Sequence, residues 1–211
     1  MSFLLIAGGL AAASVAGAVA VKRRGARGIL SLEEMRAVAP NLPENLRVAY
    51  LPFLNEALDR FDIRSYARVT AHLGQILHEC NQFRSLVELS DAKAYEGRST
   101  LGNTKPGDGE LFKGRGAIQL TGRHNYERAE AFFGVPFTTQ PELVATPTWA
   151  FLTGGWFWRH GSSSDLNKLA DAGDFLTITK RINGGTNGLA HRESYYAKAQ
   201  AALASWKQVT T

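Results

Sequence analysis

From Ser90 to Gly116 the chain cannot sustain a long regular element, because Gly97, Gly102, Pro106, Gly107, Gly109, Gly114 and Gly116 break every periodic run. On both sides the pattern is helical. Ser31 precedes Leu32, Glu33 and Glu34 as an N-cap with acids in the first turn. Pro43–Phe61 repeats apolar residues at Leu46, Val48, Leu51, Leu54 and Leu58, and Ser65–Cys80 does so at Tyr66, Val69, Leu73, Ile76 and Leu77, which predicts two amphipathic helices. Helical patterns return over Asn125–Phe133, Thr148–Arg159, Asp174–Ile182 and Ala190–Trp206, separated by turn clusters such as Gly161-Ser162-Ser163-Ser164 and Asn183-Gly184-Gly185. The fold class expected is mainly α: one helical domain wrapped around a glycine-rich loop or short hairpin.

The 211 residues suffice for one catalytic domain and a short appendage, and 45% apolar with 20% charged residues is the balance of a folded protein. The division expected is an appendage over 1–28 and a domain over 29–211. The formal charge of +5 is concentrated, since Lys22, Arg23, Arg24 and Arg27 stand in one stretch and leave 20 basic against 19 acidic residues elsewhere. A domain so balanced lacks the basic face that nucleic-acid binding requires, so no nucleic-acid partner is expected. Cys80 is the only cysteine, which excludes an intramolecular disulfide and any multi-cysteine metal site; a buried, small apolar role is expected of it. His72, His78, His124, His160 and His191 show no metal-ligand spacing, so neither metal nor cofactor is expected. Trp149, Trp156 and Trp158 lie on a helical pattern and are expected in the core.

Residues 1–21 carry no charge, and residues 3–21 as a helix would extend about 28 Å, close to a bilayer core. Gly9, Ala13 and Gly17 are spaced by four, a pattern that permits close helix approach. Three readings stand: a retained membrane anchor, which is favoured; a signal peptide ending near Ala18-Val19-Ala20; and an apolar helix packed in a larger assembly such as a virion. A signal peptide begins with basic residues, and here they follow the apolar run instead. That placement favours a cytoplasmic location for the domain.

Cleaving a glycosidic bond takes two carboxyl groups in unlike settings, one kept protonated to release the leaving oxygen and one ionised to activate water. Glu79 closes an apolar helix between Leu77, Cys80 and Phe83, where desolvation raises a carboxyl pKa. Glu88 follows nine residues later and faces it if Asn81–Ser85 turn the chain. The surrounding runs are distinctive: His78-Glu79-Cys80-Asn81 through Glu88, Tyr95-Glu96-Gly97-Arg98, and Phe112-Lys113-Gly114-Arg115-Gly116 through Gln119-Leu120-Thr121-Gly122-Arg123-His124-Asn125-Tyr126. With Pro141–Ala145, Ala150–Trp158, Ile182-Asn183-Gly184-Gly185 and Arg192–Tyr196, they resemble glycoside hydrolase family 19 over roughly residues 43 to 200. Leu101-Gly102-Asn103-Thr104 and Pro106-Gly107-Asp108-Gly109 resemble the endolysins of that family.

The resemblance implies a lysozyme-like fold and an inverting mechanism in which Glu79 is the general acid, Glu88 the general base, and Thr121 helps to hold the attacking water. It also implies that Gln119, Asn125 and Asn183 contact the sugar, with Tyr95 and Glu96 beside them, and that Arg192 positions the carboxylates. Glu96 is the rival for the base, and an ion pair with Arg98 or Arg115 is the preferred reading of it. The activity implied is cleavage of β-1,4 bonds between amino sugars of peptidoglycan, in bacteriophage lysis of a host or penetration of its wall. Chitin is the rival polymer. A non-catalytic, membrane-attached wall-binding or virion structural protein is the rival from another class.

Overall fold

The computed structural model describes residues 28–209, so the membrane-anchor, signal-peptide and virion readings of residues 3–21 concern a segment outside the described residues. No helix among the described residues is long and apolar enough to cross a membrane. The fold is mainly α, and no strand forms among the described residues.

Ser31 caps α1 (Leu32–Val38) reciprocally: its hydroxyl accepts from the Glu34 amide at 3.1 Å while the Glu34 carboxylate accepts from the Ser31 amide at 2.7 Å. Leu30, just before it, is held by both its backbone groups to the Asn55 side chain on α2 (Glu44–Arg60). Ser65 caps α3 (Tyr66–Glu79). This helix is more enclosed than an amphipathic pattern implies, because every residue from Val69 to Leu77 is buried. Its polar members are satisfied inside: the Thr70 hydroxyl donates to the Tyr66 carbonyl at 2.8 Å, and Gln75 bonds across helices to Thr179 and Arg192. A helix buried on all sides is the axis around which others assemble.

The glycine-rich insert contains the one-turn α4 (Asp108–Leu111) and two short 3-10 turns; the hairpin expectation reduces to isolated bridges, Val87 with Arg115 and Arg115 with Leu120. Four helices follow in order: α5 (Arg123–Phe133), α6 (Pro147–Trp156), α7 (Leu166–Asp171) and α8 (Phe175–Asn183). α6 runs into a π-helical turn at Phe157–Gly161. α9 (Leu189–Ala202) closes the domain against α3 and is followed by a 3-10 segment. α7 has no counterpart in the sequence reading: it is six residues long, too short to show periodicity, and is fixed instead by the Asp165 cap and a 2.8 Å bond from the Trp158 indole to Asn167.

One apolar core runs from Leu30 to Leu203 and includes Cys80, Trp156 and Trp158, with Trp149 partly buried against it. α3 and α9 approach closely because Gly74 leaves room: a Cβ there would lie 2.9 Å from that of Tyr196. Phe175 stacks on Tyr196 beside this contact, with ring centroids 4.4 Å apart. One turn before Tyr196 on α9 stands Arg192, which is thereby aimed at α3.

Candidate active site

Glu79 is the last residue of α3, and the chain must turn sharply to bring Glu88 back. It does so through Asn81, Gln82 and Phe83, which take φ of 48°, 56° and 64° in succession. Three adjacent non-glycine residues in the left-handed region cost about 1 kcal/mol or more each, so the surroundings must fix them. They do. The Gln82 amide nitrogen of the backbone donates to the Leu77 carbonyl at 2.8 Å, its side chain bridges the Asn41 amide and the Tyr195 hydroxyl, and Phe83 packs edge-on against Phe151. The chain then pairs with the insert, Glu88 donating its amide to the Gly114 carbonyl at 2.8 Å.

The two carboxyl groups line a common cavity of about 750 Å³. Their settings differ. The Glu79 side chain is only 17% exposed, and burial raises its pKa above the usual carboxylate range, with the Arg192 guanidinium pulling the other way. Arg192 itself is buried; it reaches Glu79 Oε1 at 2.6 Å and donates to Gln75 Oε1 at 2.7 Å, while Gln75 donates to Thr179 at 2.8 Å. That arrangement leaves Glu79 Oε2 for a proton. Glu88 is half-buried and accepts three hydrogen bonds, from the Ser90 hydroxyl at 2.6 Å, the Tyr95 hydroxyl at 3.0 Å and the Gly114 amide at 3.0 Å. A carboxylate, with acceptors only, satisfies all three donors.

Gly114 marks where these groups converge. A Cβ at this position would lie 2.9 Å from Gln119 Oε1, 3.1 Å from Glu88 Oε2 and 3.3 Å from Thr121 Oγ1. Thr121 and Glu88 therefore present oxygens to the same small space. Gln119 holds a left-handed φ of 54°, and Thr121 donates to the Gln119 carbonyl at 2.8 Å. Asn125 donates to the Thr121 carbonyl at 2.9 Å, and Asn183, at the end of α8, donates to the Asn187 carbonyl at 3.3 Å.

Of the residues singled out from sequence, Glu79, Glu88, Tyr95, Gln119, Thr121, Asn125 and Asn183 line the cavity. Arg192 stands behind Glu79. Glu96 lies elsewhere, which corrects its placement among sugar-contacting residues and as rival base: its carboxylate accepts from the amides of Gly107 at 2.7 Å and Gly109 at 2.8 Å. It pairs with neither Arg98 nor Arg115. A Cβ on Gly109 would come within 2.9 Å of that carboxylate, so glycine is needed for it to dock. Arg115 instead bonds the Leu111 and Lys113 carbonyls and the Tyr126 hydroxyl.

His78 packs beside the acid, its Nδ1 3.0 Å from that of His191; burial, with help from Arg192 and His191, lowers its pKa to about 4. No cluster of three or more histidine, cysteine or acidic side chains suited to a metal occurs among the described residues. Arg98, Thr100, Ser162 and Arg181 also line the cavity but were not expected there. Arg98 carried the one available signal, its place in the Tyr-Glu-Gly-Arg run. Arg181 reads in sequence as an ordinary basic residue in the last turn of a helix.

The fold is mainly helical, and its cavity brings together two carboxyl groups in unlike settings, the arrangement that glycosidic hydrolysis requires. Residues 87–170 match the family model described as chitinase class I, a span that includes Glu88, Tyr95, Gln119, Thr121 and Asn125 but not Glu79 or Arg192. An endochitinase from Arabidopsis thaliana is 36% identical over 118 residues, which is 56% of this chain and 39% of that protein. A glycosyl hydrolase family 19 domain-containing protein from Haemophilus influenzae is 34% identical over 110 residues, 52% of this chain and 51% of that protein. The chain thus matches about half the length, or less, of these relatives. Among solved structures, chitinase C from Streptomyces griseus aligns with a TM-score of 0.68 at 22% identity, covering 86% of this chain and 79% of that one. A class IV chitinase from Zea mays aligns at 0.64 and 21% identity, covering 83% and 92%. Residues 87–170 are thus similar to glycoside hydrolase family 19, and the fold as a whole is similar to that of solved chitinases.

Proposed function

We propose that the protein hydrolyses β-1,4 bonds between amino sugars of peptidoglycan by single displacement. Glu79 donates its proton to the glycosidic oxygen as the bond to the anomeric carbon breaks. Glu88 takes a proton from a water that attacks that carbon from the opposite face, and the configuration inverts. Thr121 holds the water beside Glu88, and Gln119, Asn125 and Asn183 grip the sugar. The reading rests on one observation: a solvent-poor carboxyl and a hydrogen-bonded carboxylate share a cavity.

Peptidoglycan is favoured over chitin by the endolysin-like runs at Leu101–Thr104 and Pro106–Gly109. Chitin is the second reading, supported by the endochitinases among the relatives. The same runs suggest service in bacteriophage opening of a host wall, with residues 3–21 attaching the enzyme to a membrane or virion. The decisive experiment is Glu79→Gln, which keeps shape and removes the proton. Turnover of purified peptidoglycan and of chitin should fall at least a thousandfold, about 4 kcal/mol in the barrier. Persistence within about tenfold on either polymer, or about 1.4 kcal/mol, removes Glu79 from the acid's role.

A further inference from the structure

Besides Glu79 and Glu88, the cavity is lined by two cations, Arg98 from the insert and Arg181 from the last turn of α8. Both side chains are exposed, and neither has a carboxylate within 4 Å or a side-chain hydrogen bond among the described residues. The acids nearest in sequence to Arg98 are committed elsewhere: Asp91 pairs with Lys93, and Glu96 accepts from the Gly107 and Gly109 amides. Arg36, Arg64, Arg68, Arg123 and Arg159 each hold a carboxylate, as does buried Arg192. Arg60 and Arg84 on the open surface likewise hold no carboxylate among the described residues, so what sets Arg98 and Arg181 apart is that they line the cavity.

With Glu79 protonated for its role as acid, Glu88 is the cavity's one remaining anion, and Arg192 offsets it from behind. Arg98 and Arg181 then leave the groove net positive. A neutral polymer of N-acetylglucosamine makes no use of that charge. A planar guanidinium accommodates a carboxylate through two parallel hydrogen bonds, and charges of one sign lining a cleft reinforce each other's field across it. We infer that Arg98 and Arg181 are specificity-determining residues that receive carboxylates borne by the glycan strand, so that the cleft selects an acidic wall polymer over chitin. This deepens the proposed function and depends on it.

The test compares the full chain with the Arg98→Gln, Arg181→Gln double variant on three substrates: intact peptidoglycan, glycan strands freed of stem peptides by an amidase, and chitin hexasaccharide. Because both arginines are exposed, the variant should fold. The ratio of kcat/KM on peptidoglycan to that on chitin should fall about tenfold in the variant, through KM, and added salt should raise the KM of the unmodified chain but barely that of the variant. In intact peptidoglycan the lactyl carboxyl is tied up as an amide and only stem peptides bear carboxylates, so a preference that vanishes on peptide removal assigns the arginines to the stem peptide, and one that survives shows that the lactyl carboxylate freed by the amidase is received as well. An unchanged ratio with both polymers still cleaved overturns this inference alone. An unmodified chain that cleaves neither polymer overturns the hydrolase reading and this inference with it.

Discussion

At residue scale the site turns on Gly114. Its φ is not left-handed, so alanine is allowed by the backbone, yet the added methyl would intrude among Glu88, Gln119 and Thr121. If that space holds the attacking water, Gly114→Ala should lower kcat by at least tenfold, about 1.4 kcal/mol, while circular dichroism and Tm stay near those of the parent. A variant with full kcat would place the water elsewhere. Sequence singled out Glu79, Glu88 and Thr121 through residue type and family motif, and the fold brings the three to one cavity. It misjudged Glu96 because the correct partners are backbone amides eleven and thirteen residues away, and backbone donors leave no trace in side-chain chemistry.

At the scale of elements, the α3–α9 contact carries the acid's environment. Gln75 and Glu79 stand one turn apart on α3, and Arg192 and Tyr196 one turn apart on α9, so packing at Gly74 and charge pairing at Glu79 belong to one interface. Gly74→Val should force α9 outward, costing about 1 to 3 kcal/mol from overpacking and displacing Arg192. Thermal melting should show a drop of several degrees, accompanied by a lower kcat; an unaltered Tm would mean the interface yields without strain. The long helices were readable from apolar spacing and caps, as Ser31 and Ser65 illustrate. α7 was not, and the full enclosure of α3 was not, because its buried polar residues find partners on α8 and α9 that no local pattern announces.

For the whole molecule, the core closes by Leu30, whose backbone is clasped by Asn55. Truncation to begin at Gly28 should therefore leave both folding and hydrolysis of purified peptidoglycan intact in vitro, and should abolish any association with vesicles or virions that the full chain shows. A folded truncation without activity would give residues 1–27 a part in catalysis rather than attachment. The balance of charge over the domain is legible in composition alone, whereas the arrival of Arg98 and Arg181 at one cavity required the fold, since they stand 83 positions apart along the chain.

The left-handed winding of Asn81, Gln82 and Phe83 has a bearing on how such a groove can diversify. Acid and base are tethered by nine positions of one continuous backbone, so their mutual distance is written into a short coil that Tyr195 on α9 and Phe151 on α6 hold in place. The part of the lining contributed by α8 and the 157–163 segment lies outside that tether. Its composition can drift toward new glycans while the reacting centre keeps its spacing.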